Sequence, residues 1–225
     1  MSDVHSLIVS FLLLLLIPKL TVKNKVTYYL FGIIGVPIHE MSHYLIARCV
    51  GFQIDDAKFI QDPSVNNGCA GYVVYRYKPT LINEVLVVFV GLAPLYIGSV
   101  LIYLITQFFG YPIFDKNVNA LQFVLDSMST LDVKWVIYAW LVASITVNMM
   151  PSSQDLKTSV RGLLLFSLII LLISYFFKNE LMEILAVFAG GLSSCITVGV
   201  SVVVPFIAIF SIYNFISSFR KKNPI

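Results

Sequence analysis

Long apolar runs separated by short polar links set the pattern of this chain. The first run covers about 6–18 and the second about 27–50. The second holds roughly 24 residues, enough at about 1.5 Å per residue to cross a hydrocarbon layer of about 30 Å. A third run, 81–109, is interrupted by Gly91-Leu92-Ala93-Pro94, where small residues and a proline predict close packing and a bend. A fourth follows over 135–150 with Trp135 as its expected interfacial anchor. A fifth covers 162–177, and a last run, 184–218, is too long for one straight span. Gly190-Gly191 and Pro205 are expected to break it. The pattern predicts an all-α integral membrane protein of about six transmembrane helices in a single domain, 1–225.

Two links carry patterns of their own. In 52–80, the stretches 58–61 and 71–77 are rich in β-formers and flank the turn-rich 62–68. A small β-hairpin at the membrane surface is expected there. In 110–134, Val118, Leu121, Val124, Leu125 and Met128 recur at helical spacing, which predicts a short interfacial helix.

Composition agrees with a membrane setting. Of 225 residues, 58% are hydrophobic and 12% charged, about half the charge of a soluble domain, and the mean hydropathy is +0.88. The net charge of +3 comes from scattered residues and gives no footprint for nucleic acid. Cys49, Cys69 and Cys195 form no C-x-x-C pair; Cys49 and Cys195 are expected to be small packing residues. The run at 6–18 lacks the basic start and small-residue end of a signal peptide, so it is read as a retained, short or partly re-entrant membrane helix. Basic residues near the ends of the runs favour a cytosolic C-terminus in a cell or cytoplasmic membrane, although Lys19, Lys23 and Lys25 then fall outside. Nothing in the sequence fixes an oligomeric state.

The chemistry concentrates in His39-Glu40-Met41-Ser42-His43, within the second run. The spelling is H-E-x-x-H. Two histidines four apart share a helix face and can present two imidazoles to one zinc ion, with the glutamate beside them as a base. Ionisable groups within a membrane span are costly and mark function. Pro37, two residues before His39, is expected to kink the helix. A catalytic zinc takes three protein ligands and leaves one position open. Carboxylate candidates for the third are Asp55, Asp56, Glu84 and Asp155. Alternating spans bring the end of the fourth run to the face that His43 approaches, which favours Asp155; Asp55 and Asp56 are expected to be solvated loop charges.

H-E-x-x-H in an apolar helix, a β-rich loop, a Gly/Pro-interrupted helix and Asn148-x-x-Pro151 with a following Asp155 resemble the site-2 protease family of intramembrane zinc metalloproteases. The resemblance covers roughly 28–156. It implies a three-helix catalytic core over 26–156, with 1–25 and 157–225 peripheral. It further implies Zn(2+) held by His39, His43 and Asp155, and Glu40 as general base toward a zinc-bound water. Asn148 and Pro151 match the family's substrate-holding Asn and Pro, and Tyr72 and Val74 on the expected hairpin are placed to clamp an extended substrate strand. The substrate would be a membrane protein or membrane-bound peptide in the lipid bilayer. Asp155 follows Asn148 by seven residues (155 − 148), where the family pattern has eight, and Ser42 stands where Gly is frequent. The alternative is a non-proteolytic multi-pass protein with a structural or metal-handling zinc site.

Overall fold

A computed structural model describes residues 25–62, 69–111 and 132–222, together with Leu12. The first apolar run, the centre of the turn-rich cluster and the expected interfacial helix at 118–128 lie outside the described residues.

Helix α1 spans Lys25–Cys49 and runs through Pro37 without interruption. Strands β1 (Gln53–Lys58) and β2 (Tyr72–Arg76) follow and pair antiparallel, Gln53 opposite Arg76 and Lys58 opposite Tyr72, with an irregularity between Ile54 and Asp56. Helices α2 (Leu81–Gly91) and α3 (Ala93–Phe109) come next, then α4 (Val133–Asn148), α5 (Ser153–Phe176) and α6 (Lys178–Lys222).

The expected bend is present: α2 and α3 meet at 44°. Three described helical stretches are long and apolar enough to cross a membrane, Tyr29–Cys49, Ser153–Phe176 and Asn179–Ala208, and the bent α2–α3 pair makes a fourth if it counts as one span. Helix α4 is apolar but has only 16 residues, roughly 24 Å of rise.

Packing divides the molecule into two pairs joined at the site. Helix α1 lies along α4, and α2 lies along α5. Helix α3 touches both α1 and α4, and α6 covers the far side of α4. The larger buried cluster therefore centres on α4, with Phe31, Ile102, Tyr138, Val142, Ile145, Ile196 and Val203. Within it the Tyr138 hydroxyl meets the Thr106 hydroxyl at 3.2 Å, so its polar end is satisfied. A smaller cluster of Ala47, Phe52, Val87 and Val90, with Tyr75 and Tyr77 beside it, fastens the hairpin to α1 and α2. Phe52 stacks on Tyr75 and Tyr77, with ring centroids 5.7 and 5.1 Å apart. Gly35 makes the α1–α4 contact possible, since a Cβ there would fall onto the Asn148 side chain and the Ser144 carbonyl.

Several expectations need correction. The first strand is Gln53–Lys58, not 58–61. Asp55 and Asp56 are poor β-formers, but the pairing satisfies them: Asp55 takes the Arg76 guanidinium at 2.6 Å and Asp56 accepts the Tyr72 hydroxyl at 2.6 Å. They are strand residues with partners rather than free loop charges. Helix α6 is continuous through Gly190-Gly191 and Pro205, as an apolar helix can be, since glycine and proline are tolerated within long apolar helices. Trp135, the expected interfacial anchor, is buried within the protein, only 7% exposed. Cys49 is exposed, whereas Cys195 is buried as expected. Helix α5 starts nine residues earlier than the apolar run at 162, so Asp155 sits in the first turn of α5 and not at the end of the fourth run.

Candidate metal centre

The site is built where α1 crosses the ends of two other helices. His39 and His43 are one turn apart on the inner face of α1, with ring centroids 4.8 Å apart. His43 is buried and His39 half-buried.

What holds the rings follows from two helix breaks. In an unbroken helix the carbonyl of Val90 would accept from the N–H of residue 94. Residue 94 is proline, which has no N–H. The Val90 carbonyl is released and meets His43 Nδ1 at 2.7 Å. The same happens at the end of α4. The carbonyl of Asn148 lies past the last helical bond, because the N–H of Ser152 turns instead to Asp155 Oδ2 at 2.7 Å. Asn148 O meets His39 Nδ1 at 2.6 Å. Helix-end carbonyls are obligatory acceptors in want of a donor, and the negative end of each helix dipole adds to the pull.

A carbonyl can only accept, so both Nδ1 atoms carry their hydrogens. A ring in its neutral form then presents a bare lone pair at Nε2. The two Nε2 atoms face one another at 3.2 Å. Asp155 Oδ2 lies 3.4 Å from His43 Nε2 and 3.7 Å from His39 Nε2. A proton on one ring would close the group as an ion pair with Asp155; with both rings neutral, three acceptors converge on one point, as they do around a metal ion. Tetrahedral ligands about 2.0–2.1 Å from a zinc ion stand about 3.3–3.4 Å apart, close to the observed separations. The residues fit a metal ion, and His39, His43 and Asp155 form a group able to hold one. The Nδ1–H to carbonyl bonds are the outer contacts that fix the tautomer of a ligating histidine.

Asp155 reaches the histidines because α5 begins at that point. Ser152 caps the helix, its Oγ accepting from Asp155 N–H at 3.1 Å, while Asp155 Oδ2 accepts from Ser152 N–H. The Ser152-x-x-Asp155 spelling is a capping signature that the sequence displays openly.

Glu40 points off the same turn, near enough to His39, His43 and Asp155 to feel the charge of each. No hydrogen bond or ion pair engages its carboxylate among the described residues. The hairpin passes over it at Gly71, where a Cβ would lie 2.7 Å from Glu40 Cγ and 3.0 Å from the Lys58 carbonyl. Four residues on, Tyr75 turns inward toward α5. Burial, aided by the charge of Asp155, pushes its phenol up to about 12, so it stays neutral at any physiological pH.

The other expected site residues are placed as follows. Asn148 and His39 line one small crevice together with Ile38, Pro94 and Gly98. The Asn148 amide donates to the carbonyls of Ser144 and Phe31, at 2.9 and 3.3 Å, so what its side chain still offers is the Oδ1 acceptor. Pro151 lies in the link between α4 and α5, half-buried. Tyr72 and Val74 point to the hairpin face opposite Tyr75; the bond to Asp56 pushes the Tyr72 phenol up. Glu84 opens α2 and takes no part in the metal-binding group. Searches of protein-family models, curated proteins and solved structures find no match to this chain.

Val90, Ser152 and Gly71 carry no side-chain chemistry that marks them as site residues in the sequence, and Tyr75 is marked only as part of the hairpin. Val90 acts through a carbonyl that every residue has; its signal was the proline four positions later. Ser152 had a spelled signature. Gly71 and Tyr75 had none, because their roles depend on how the hairpin folds back.

Proposed function

We propose that this chain is a zinc-dependent intramembrane metallopeptidase similar to the site-2 protease family, a multi-pass integral membrane protein with its C-terminus in the cytosol. One observation carries the reading: two histidine Nε2 atoms and a carboxylate oxygen converge within 3.2–3.7 Å, beside a glutamate on the same helix that has no partner among the described residues. Zinc suits two imidazoles and one carboxylate with a position left open. Bound there, it would polarise a peptide carbonyl and make water acidic enough to attack near neutral pH.

The chain's own residues supply the rest. His39, His43 and Asp155 hold the ion, and the carbonyls of Asn148 and Val90 keep the imidazoles oriented. The Glu40 carboxylate takes the proton of the attacking water and delivers it to the leaving amine. A substrate must arrive extended, because helical peptide bonds are shielded by their own hydrogen bonds. Among the described residues the two-stranded sheet pairs with no third strand, so its edges are candidates for such a strand, with Tyr72 and Val74 on the face opposite Tyr75 and the Asn148 Oδ1 and Pro151 near the histidines.

The test is Glu40→Gln, measured for zinc content and for cleavage of a membrane-anchored reporter that the wild type cuts. The variant keeps its zinc and loses about 10²–10⁴-fold in rate. Cleavage at the wild-type rate removes Glu40 from the mechanism. A wild type that holds zinc yet cuts no membrane peptide favours the structural or metal-handling role.

A further inference from the structure

We infer that Ser152 is a positioning residue for the third metal ligand, acting through the reciprocal cap that it forms with Asp155. The inference rests on the proposal that His39, His43 and Asp155 hold a metal.

Asp155 stands in an exposed first helical turn, and helix ends fray. A ligand there needs something besides its helix to hold it. Two bonds do this in opposite directions: Ser152 N–H to Asp155 Oδ2 at 2.7 Å, and Asp155 N–H to Ser152 Oγ at 3.1 Å. The oxygen that takes the Ser152 N–H is the same oxygen that faces both histidines. A carboxylate oxygen has two lone pairs in its plane. One is fixed on the backbone at Ser152, and this orients the other toward the imidazoles. With Asp155 three residues after the capping serine, one turn both starts α5 and delivers the carboxylate.

The N–H of Ser152 contributes a second effect. It is four residues after Asn148 and would close that carbonyl into the helix. Drawn to Asp155 instead, it leaves Asn148 O for His39. One capping turn therefore orients the carboxylate and frees the acceptor that sets a histidine tautomer.

The experiment is chelator-competition measurement of zinc affinity on the full chain in detergent, for wild type, Ser152→Ala, Ser152→Thr and Thr80→Ala. Thr80 caps α2 with the same kind of bond, to Asn83 N–H at 3.2 Å, at the end of α2 away from Val90. Ser152→Ala keeps the N–H but loses the Oγ that holds the Asp155 N–H, so the first turn loosens and zinc weakens about ten-fold or more; Ser152→Thr restores it because threonine also caps, and Thr80→Ala leaves it unchanged. Wild-type affinity in Ser152→Ala overturns the inference. So does equal weakening in Thr80→Ala, which would mean general loosening, or a Ser152→Thr variant as weak as the alanine. A wild-type chain that binds no zinc overturns the reading beneath it as well.

Discussion

Gly71→Ala is a small change with a consequence that can be worked out in advance. The added methyl would sit 2.7 Å from Glu40 Cγ, against about 3.5–4.0 Å for two carbons at rest. About 1 Å of movement is needed. The chain at Gly71 has little room to shift, because the same methyl would also stand 3.0 and 3.2 Å from the Lys58 and Phe59 carbonyls. Glu40 moves instead. Displacing a catalytic group by about 1 Å costs on the order of 10²-fold in rate, and overpacking costs about 1–3 kcal/mol of stability. The nearest atoms to the added methyl belong to Glu40, Lys58 and Phe59 and none to His39, His43 or Asp155, so zinc content stays at the wild-type level. The assay is kcat/KM on a membrane-anchored reporter, with zinc measured on the same preparation. A Gly71→Ala enzyme with normal kcat/KM would refute either the seating of Glu40 beneath the hairpin or its part in the chemistry.

Further outcomes follow from the same geometry. Asp155→Asn weakens zinc binding in a chelator titration while α5 still forms, because asparagine keeps an acceptor for the Ser152 N–H but loses the charge; unchanged affinity would exclude Asp155 as a ligand. Removing zinc with a chelator lowers the thermal midpoint, and restoring it to about 100 times its Kd recovers about 2.7 kcal/mol; a midpoint indifferent to zinc would show that the ion is not bound by the folded chain. The raised Tyr75 phenol means that folding favours its neutral form, so its contribution is intact below pH 10 and is lost as the pH climbs from about 10.0 toward about 12. Comparison of alkaline melting for wild type and Tyr75→Phe isolates that loss, and identical pH profiles would count against a buried phenol. Pro94→Ala supplies an N–H to the Val90 carbonyl and competes with His43 for it, so zinc affinity falls; a tighter site would reverse that assignment.

Much of the site was legible because its chemistry is written in side chains. His39, Glu40 and His43 sit at the spacing of one helical turn, and the carboxylate brought to them is the single acidic residue between Asp132 and Glu180. The α2–α3 bend was legible too, since Pro94 has one conformational preference and no donor. The start of α5 was not. Residues 153–161 are polar enough to pass for a loop, and only the Ser152 cap reveals that a helix has begun. Nor was β1, because Asp55 and Asp56 argue against a strand until Arg76 and Tyr72 are set opposite them. The long α6 misled in the other direction: Gly190-Gly191 and Pro205 are residues that interrupt helices in water, where freed backbone groups find a solvent, but are tolerated within long apolar helices. Val90 and Asn148 hold the rings through main-chain carbonyls, which no residue alphabet records. Their release by proline and by a capping turn is local, yet its effect appears only when α1 lies across both helix ends.

The most direct test of the central claim is X-ray absorption at the zinc edge on the purified full-length chain, with metal stoichiometry. The expected result is one zinc per chain, bound by two imidazole nitrogens and one carboxylate oxygen, with zinc lost in His43→Ala. A chain that purifies without zinc, or one that keeps full zinc after His43→Ala, would contradict it.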